Sequence, residues 1–178
     1  NDALQVIDKS YVISREEHLS SYDGKTTTTK LKLLTEQKQL PVEYYDEICK
    51  LKQKHTNIRL QSIPENLALQ QLFKFLKKSD LKISIASNAI RPTVITSLDK
   101  VGVLKYCDYI IANDDVFLPK PNAEMYMKCM IHTKTNPDET VVIEDSHTGR
   151  KAAIRSGCHL CPVTGPEEVT FDYIVKPI

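Results

Sequence analysis

Apolar positions recur at different intervals in two parts of the chain. From Asn1 to about Thr56 the spacing is helical in a polar background, and Asn1–Ile7 (NDALQVI) has the pattern of a helix interior. Ser14 and Glu17 stand in the S-x-x-E arrangement that marks a helix start. Leu31, Leu33 and Leu34 predict a second helix, and Tyr44, Ile48 and Leu51, at i, i+4, i+7, a third. Asp23-Gly24-Lys25 and the threonines Thr26–Thr29 between the first two predict a loop.

From Ser62 the pattern becomes an alternation of helices and strands. Ser62 and Glu65 have capping-box spacing, with Pro64 tolerated in the first turn. Leu69, Leu72, Phe73 and Leu76 then share one helical face. Leu81, Ile83 and Ile85 alternate with Lys82 and Ser84, the period of a strand. Further strands are expected at Tyr109–Ala112, Val141–Ile143, Leu160–Val163 and Tyr173–Val175, and further helices around Val94–Val101, Met125–Ile131 and Lys151–Ser156, the last stopped by Gly157. Such an order implies βαβ units, hence an α/β fold with a parallel sheet covered on both faces. The domain boundary is expected at 61/62, with a helical domain over 1–61 and an α/β core over 62–178. Both ends read as cut, since Asn1 is not a start residue and Asp172–Ile178 reads as a strand with little after it.

Composition narrows the function classes. The formal net charge is +1, without the basic excess expected of a nucleic-acid or membrane surface. No apolar run approaches the roughly 20 residues of a bilayer span, and no secretory signal is visible. The odd number of cysteines, five, fits reduced thiols of a cytoplasmic protein better than a disulfide framework. Cys158 and Cys161 form a CxxC pair around His159, but a structural zinc needs four ligands, and the short apolar segment is read as a buried strand.

Ligands of open parallel sheets bind beyond the carboxyl ends of the strands. Those positions carry Ser87-Asn88, then Asn113-Asp114-Asp115 with Lys120-Pro121 farther on, then Glu144-Asp145-Ser146. A hydroxyl, an ammonium and an acidic pair suit a phosphate and the Mg²⁺ that accompanies it. Singly, each has a plainer reading as turn, solvated loop or helix cap.

Together these segments bear a family resemblance. IASNA (Ile85–Ala89) resembles motif II of the haloacid dehalogenase-like superfamily, LPKPNAEMY (Leu118–Tyr126) its motif III, and VVIEDSHTGRKAA (Val141–Ala153) its motif IV. The likeness is to the subgroup of β-phosphoglucomutases and sugar-phosphate phosphatases, and it covers nearly the whole chain. It implies a Rossmann-like parallel-sheet core with an N-terminal helical cap. It further implies that Ser87 and the backbone near Asn88 bind the transferring phosphoryl group, that Lys120 offsets its charge, and that Asp145 and Glu144 hold Mg²⁺. The family's motif I, DxDx[TV], which supplies the aspartate nucleophile from the first core strand, has no counterpart, since the chain contains no DxD triplet. Family spacing puts that motif about twenty residues upstream of Asn1. The resemblance thus implies a chain truncated before motif I, with the first core strand missing, and inactive and unstable as it stands.

Gly24-Lys25 is similar in position to the family's specificity loop, and Lys52 to a cap lysine that reaches the substrate. Thr27 stands where the mutases place an arginine, which favours a phosphatase. A P-loop is excluded because the position five before Gly24 is Leu19. His147 is expected on the surface in the first turn of a helix, and His18, His55 and His132 show no pairing in the sequence. The expectation is a Mg²⁺-dependent phosphatase that acts through an aspartyl-phosphate on a small phosphorylated metabolite, a sugar phosphate foremost, as a cytoplasmic monomer. The alternatives are a phosphomutase and a non-catalytic phosphate- or partner-binding protein. A dehalogenase would not need the metal, and a response-regulator receiver would place its Asp, Ser/Thr and Lys in a different order.

Overall fold

The computed structural model describes residues 1–175. The chain divides into two compact units, Asn1–Ser62 and Ile63–Ile178.

The first unit is helical, with α1 (Asp2–Ile7), a short α2 (Arg15–Glu17), α3 (Thr27–Lys38) and α4 (Tyr45–Gln61). Leu4, Tyr22, Leu31, Leu34, Leu40 and Ile48 belong to one buried cluster, with Leu51 packed against it. The capping box at α2 forms in full, as Ser14 Oγ accepts the Glu17 N–H at 3.0 Å and Glu17 Oε2 accepts the Ser14 N–H at 2.7 Å. The threonine run is not the expected loop. Thr26 is the N-cap of α3, its Oγ1 accepting the Thr29 N–H at 3.2 Å, and Thr27–Thr29 form the first turn. β-Branched residues cost a helix only a few tenths of a kcal/mol each, about what one cap and two buried leucines readily offset.

The second unit alternates as expected: α5 (Leu67–Lys78), β1 (Ser84–Ala86), α6 (Arg91–Lys100), β2 (Tyr109–Ile111), α7 (Glu124–Thr133), β3 (Val141–Glu144), α8 (His147–Ser156), β4 (His159–Pro162) and α9 (Phe171–Ile174). β1 pairs with β2 and β3 with β4, both in parallel, with Ala86 opposite Ile111 and Glu144 opposite Pro162. The described strands thus make two parallel pairs rather than one continuous sheet, and among the described residues β1 and β3 each have a single strand neighbour. The pairs share their packing. Ala86 of β1 lies against the cluster of Tyr126, Met130, Val142, Ala152 and Ala153, while Ile85 and Cys161 lie against that of Leu72, Phe73 and Ile83. Cys158 is in the first of these clusters and Cys161 against the second; the CxxC segment is a strand from His159, but it is half-buried with exposed ends rather than the buried strand expected.

Three elements differ from the sequence expectation in ways the contacts explain. The helix after Ser62 starts at Leu67, with Asn66 as N-cap accepting the Leu69 N–H at 3.0 Å. Ile63 precedes Pro64, and a residue before proline is disfavoured in the helical region, so Ser62 cannot open this helix. The ladder of β1 begins at Ser84 rather than Leu81 because the Asp108 carboxylate takes the Ile83 N–H at 2.7 Å. Tyr173–Val175 is not a strand: Thr170 caps α9 by accepting the Tyr173 N–H at 3.4 Å, Phe171 meets Phe75 edge-on at 4.8 Å, and Ile174 is buried. The remainder of the strand expected to Ile178 lies outside the described residues. Among the described residues no helix is long and apolar enough to cross a membrane.

The choice of cap is testable by urea unfolding. Asn66→Ala should cost about 1 kcal/mol, whereas Ser62→Ala should stay within about 0.5 kcal/mol of the parent.

Candidate active site

The carboxyl ends of β1 and β3 are joined by one side chain. Lys120 Nζ donates to the Ala86 carbonyl at 3.0 Å and to Glu144 Oε2 at 2.7 Å. Both charged side chains are buried, each 8% exposed. The loop that carries Lys120 is pinned from two sides. Asn88 Nδ2 donates to the Lys120 carbonyl and Asn88 Oδ1 accepts the Lys120 N–H, both at 3.1 Å. From α8, Arg155 donates to the Pro121 carbonyl at 2.8 Å.

Glu144 has all its acceptor directions engaged. Oε2 receives Lys120 and the Tyr126 hydroxyl at 2.8 Å, and Oε1 receives the Ser146 N–H at 3.0 Å and the Ser146 hydroxyl at 2.9 Å. Burial alone would raise this carboxyl, but the Lys120 charge and the hydrogen bonds from Lys120, Ser146 and Tyr126 outweigh it and hold the group down at about 2. The motif glycine is explained by the same packing. A Cβ on Gly149 would lie 2.0 Å from Glu144 Cδ, so only a glycine lets the carboxylate lie against the first turn of α8. Ser146 also caps that helix, its Oγ accepting the Gly149 N–H at 3.1 Å.

The other expected site residues fall as follows. Ser87 follows β1, its N–H bonded to the Ile111 carbonyl at 3.0 Å, and its Oγ accepts the Ala89 N–H at 3.1 Å. That leaves the hydroxyl proton to donate elsewhere. Asn88 spends its side-chain amide on the Lys120 backbone. Asp145 follows Glu144 and is exposed. Asp114 and Asp115 form a brace rather than part of this group: Asp115 pairs with Arg91 at 2.7 Å, and Asp114 Oδ1 accepts the Arg91 N–H at 2.8 Å. His147 is exposed at the start of α8. The remaining histidines are not without neighbours as the sequence suggested, since His18 lies 3.6 Å from Asp23, His55 3.9 Å from Asp2, and His132 stacks on Tyr109 at 4.0 Å.

In the helical unit, Lys25 Nζ donates to the Ser21 carbonyl at 2.6 Å and Lys52 is exposed. Sequence reasoning missed Lys30 on α3. Burial, then the nearby charge of Lys52, lower its ammonium below the ordinary lysine range, with Lys25 adding to the effect and Asp23 opposing it. It also missed Tyr126, whose ring and hydroxyl belong to the Lys120–Glu144 group.

A divalent cation of the Mg²⁺ type takes about six oxygen ligands in near-octahedral array. Among the described residues no group of three or more His, Cys, Asp or Glu side chains could hold a metal. The oxygen chemistry of Asp145 fits such an ion, but it fills only part of the shell, and Glu144 is committed to Lys120.

The Glu144 pair has a pH signature. A carboxyl lowered on folding stabilises the protein above its ordinary value of 4.5, and that contribution is lost as pH falls toward about 2. Urea unfolding across that window should show stability falling with pH, and Glu144→Gln should flatten the fall. At neutral pH that variant, which leaves Lys120 buried without its partner, should cost about 3–5 kcal/mol.

A sequence profile described as haloacid dehalogenase-like hydrolase matches residues 3–163. The phosphorylated carbohydrates phosphatase of Thermotoga maritima is 27% identical over 95 residues, covering 53% of this chain and 44% of that one. The pyrophosphatase PpaX of Halalkalibacterium halodurans is 26% identical over 147 residues, covering 78% of this chain and 68% of its own. The chain therefore spans from under half to about two thirds of these relatives. In fold it superposes on the β-phosphoglucomutase of Clostridium difficile with a TM-score of 0.78 at 17% identity, over 97% of this chain and 87% of that one. With a profile match over most of its length, the chain belongs to the haloacid dehalogenase-like hydrolases.

Proposed function

We propose that this protein is a phosphomonoester hydrolase for small phosphorylated metabolites, sugar phosphates foremost, working through an aspartyl-phosphate in the cytoplasm as a monomer. The observation that carries the proposal is the Lys120 ammonium, bonded to the end of β1 and to the residue beside Asp145. Ser87 follows Ala86 and Asp145 follows Glu144 in the chain, so the two contacts of Lys120 support grouping the cation with that hydroxyl and the acidic pair. Attack of a carboxylate on a phosphate dianion sets like charges together, and catalysis consists largely of offsetting that repulsion. In this reading Ser87 donates its free proton to a phosphoryl oxygen, backbone amides around Asn88 assist, and Lys120 offsets the charge that develops.

The nucleophilic aspartate is assigned to a segment that precedes Asn1 in the full protein, entering as a parallel strand beside β1 and β3, each of which has one strand neighbour among the described residues. Asp145 is assigned as a ligand that would hold Mg²⁺, whereas Glu144, first expected to share the ion, has its oxygens taken by Lys120, Tyr126 and Ser146 and would act on the site only through Lys120. When bound, the ion would offset phosphate charge. The relatives named as phosphatases for phosphorylated carbohydrates and for pyrophosphate support this class of substrate.

On the helical unit, which is assigned the role of a substrate-selecting cap, Lys25, Lys52 and Lys30 are proposed to contact an anionic part of the substrate. Three mutually repelling cations, one of them partly buried, favour an anion nearby. The closest competing activity is a phosphomutase.

On the full-length protein with its nucleophile, Lys120→Ala and Asp145→Asn should each lower turnover by at least about 100-fold. Released inorganic phosphate, assayed against isomerised sugar phosphate, decides between hydrolase and mutase. Near-parent turnover in either variant would overturn the assigned role. Lys30→Met should raise KM for a substrate bearing a second anionic group by about tenfold, equivalent to 1.4 kcal/mol, and change kcat little.

A further inference from the structure

We propose that Tyr126 is a positioning residue for Lys120, setting the direction of the one N–H that the ammonium keeps for the transferred phosphoryl group. The inference rests on the phosphatase reading and adds a residue to it. A lysine side chain is long and flexible, with about 2 kcal/mol of rotamer entropy, so a useful direction must be imposed on it. Two of its three donors are used, by the Ala86 carbonyl and Glu144 Oε2, and the third has no acceptor among the described residues.

Tyr126 acts on this ammonium in two ways. Its hydroxyl donates at 2.8 Å to Glu144 Oε2, the same oxygen that receives Lys120 at 2.7 Å. That shared bond limits where the oxygen can lie and therefore where Lys120 points. Its ring centroid lies 4.9 Å from Lys120 Nζ, close enough for a cation–π contact. The ring is itself immobile, since Tyr126 is 7% exposed and packs with Met130, Val142, Ala152, Ala153 and Cys158. Burial, with Glu144 beside it, drives the phenol far above its ordinary range, so the hydroxyl remains a donor. Phenylalanine would keep the ring, the packing and the cation–π contact, and remove only the bond to Glu144.

The experiment is a double-mutant cycle on the full-length protein, with kcat and KM measured for a sugar phosphate. Tyr126→Phe should lower kcat about tenfold with KM within about twofold, as a loss confined to the transition state does. Added to Lys120→Ala it should cost nothing further, because its effect passes through the lysine. A role in packing alone would make the two losses multiply, and that result, or an unchanged kcat, would overturn the proposal while leaving the phosphatase reading intact. Lys120→Ala with near-parent turnover would instead overturn that reading. A second measurement is independent of the variant's folding: in the parent protein the Lys120 ammonium should give a slowly exchanging lysine ¹⁵N–H signal, and a Lys120 ammonium that exchanges like those of exposed lysines would refute the idea.

Discussion

A buried ammonium needs oxygen around it, and here the oxygens come from the ends of two strands. Lys120 meets the last carbonyl of β1 and the last side chain of β3. Desolvating a lysine and a glutamate costs several kcal/mol each, and the mutual attraction repays that only where the remaining hydrogen-bonding groups are also met. Ser146 and Tyr126 meet those of Glu144, and the Ala86 carbonyl meets a second donor of Lys120, which leaves one N–H of the ammonium for a ligand. The pair is thus poor as a source of stability and effective as a determinant of geometry, because alternative placements leave a buried charge without partners.

The surrounding elements are explained by what this arrangement demands. Gly149 lacks a side chain because Glu144 occupies that space. α8 starts where it does because Ser146 both caps it and donates to Glu144. α7 presents Tyr126 on its buried face, while Glu124, at its first turn, receives the Phe117 and Leu118 N–H groups at 3.1 and 2.7 Å and so secures the loop leading to Lys120. Polar residues from segments far apart in sequence are held by helices and strands rather than by loops alone, which is how a protein fixes side chains within narrow tolerances.

Much of this was legible in advance because it depends on near neighbours. Strand period in Ser84–Ala86 and Val141–Glu144, helical faces in α5 and α8, the Ser14 capping box and the Gly157 stop all follow from residues within one or two turns. What failed was decided at longer range or by a competing local rule. Asp108, 25 residues away, takes the Ile83 N–H and shortens β1. Pro64 vetoes a helix opened by Ser62, and Asn66 takes its place. The threonines of α3 go helical because the buried Leu31 and Leu34 follow them, and α9 forms where Phe171 finds Phe75.

The sequence by itself determined the α/β class and the parallel pairing, and it singled out Ser87, Lys120, Glu144 and Asp145 as candidates, since strand ends and motif spacing are local properties of the chain. Only the tertiary structure decided that Glu144 spends its oxygens on Lys120, Tyr126 and Ser146, that Asn88 grips backbone, and that Asp114 and Asp115 serve Arg91. The physical reason is that a polar side chain's role is set by which partner reaches it first at about 2.7–3.1 Å, and partners drawn from other strands and helices leave no periodic trace in the sequence.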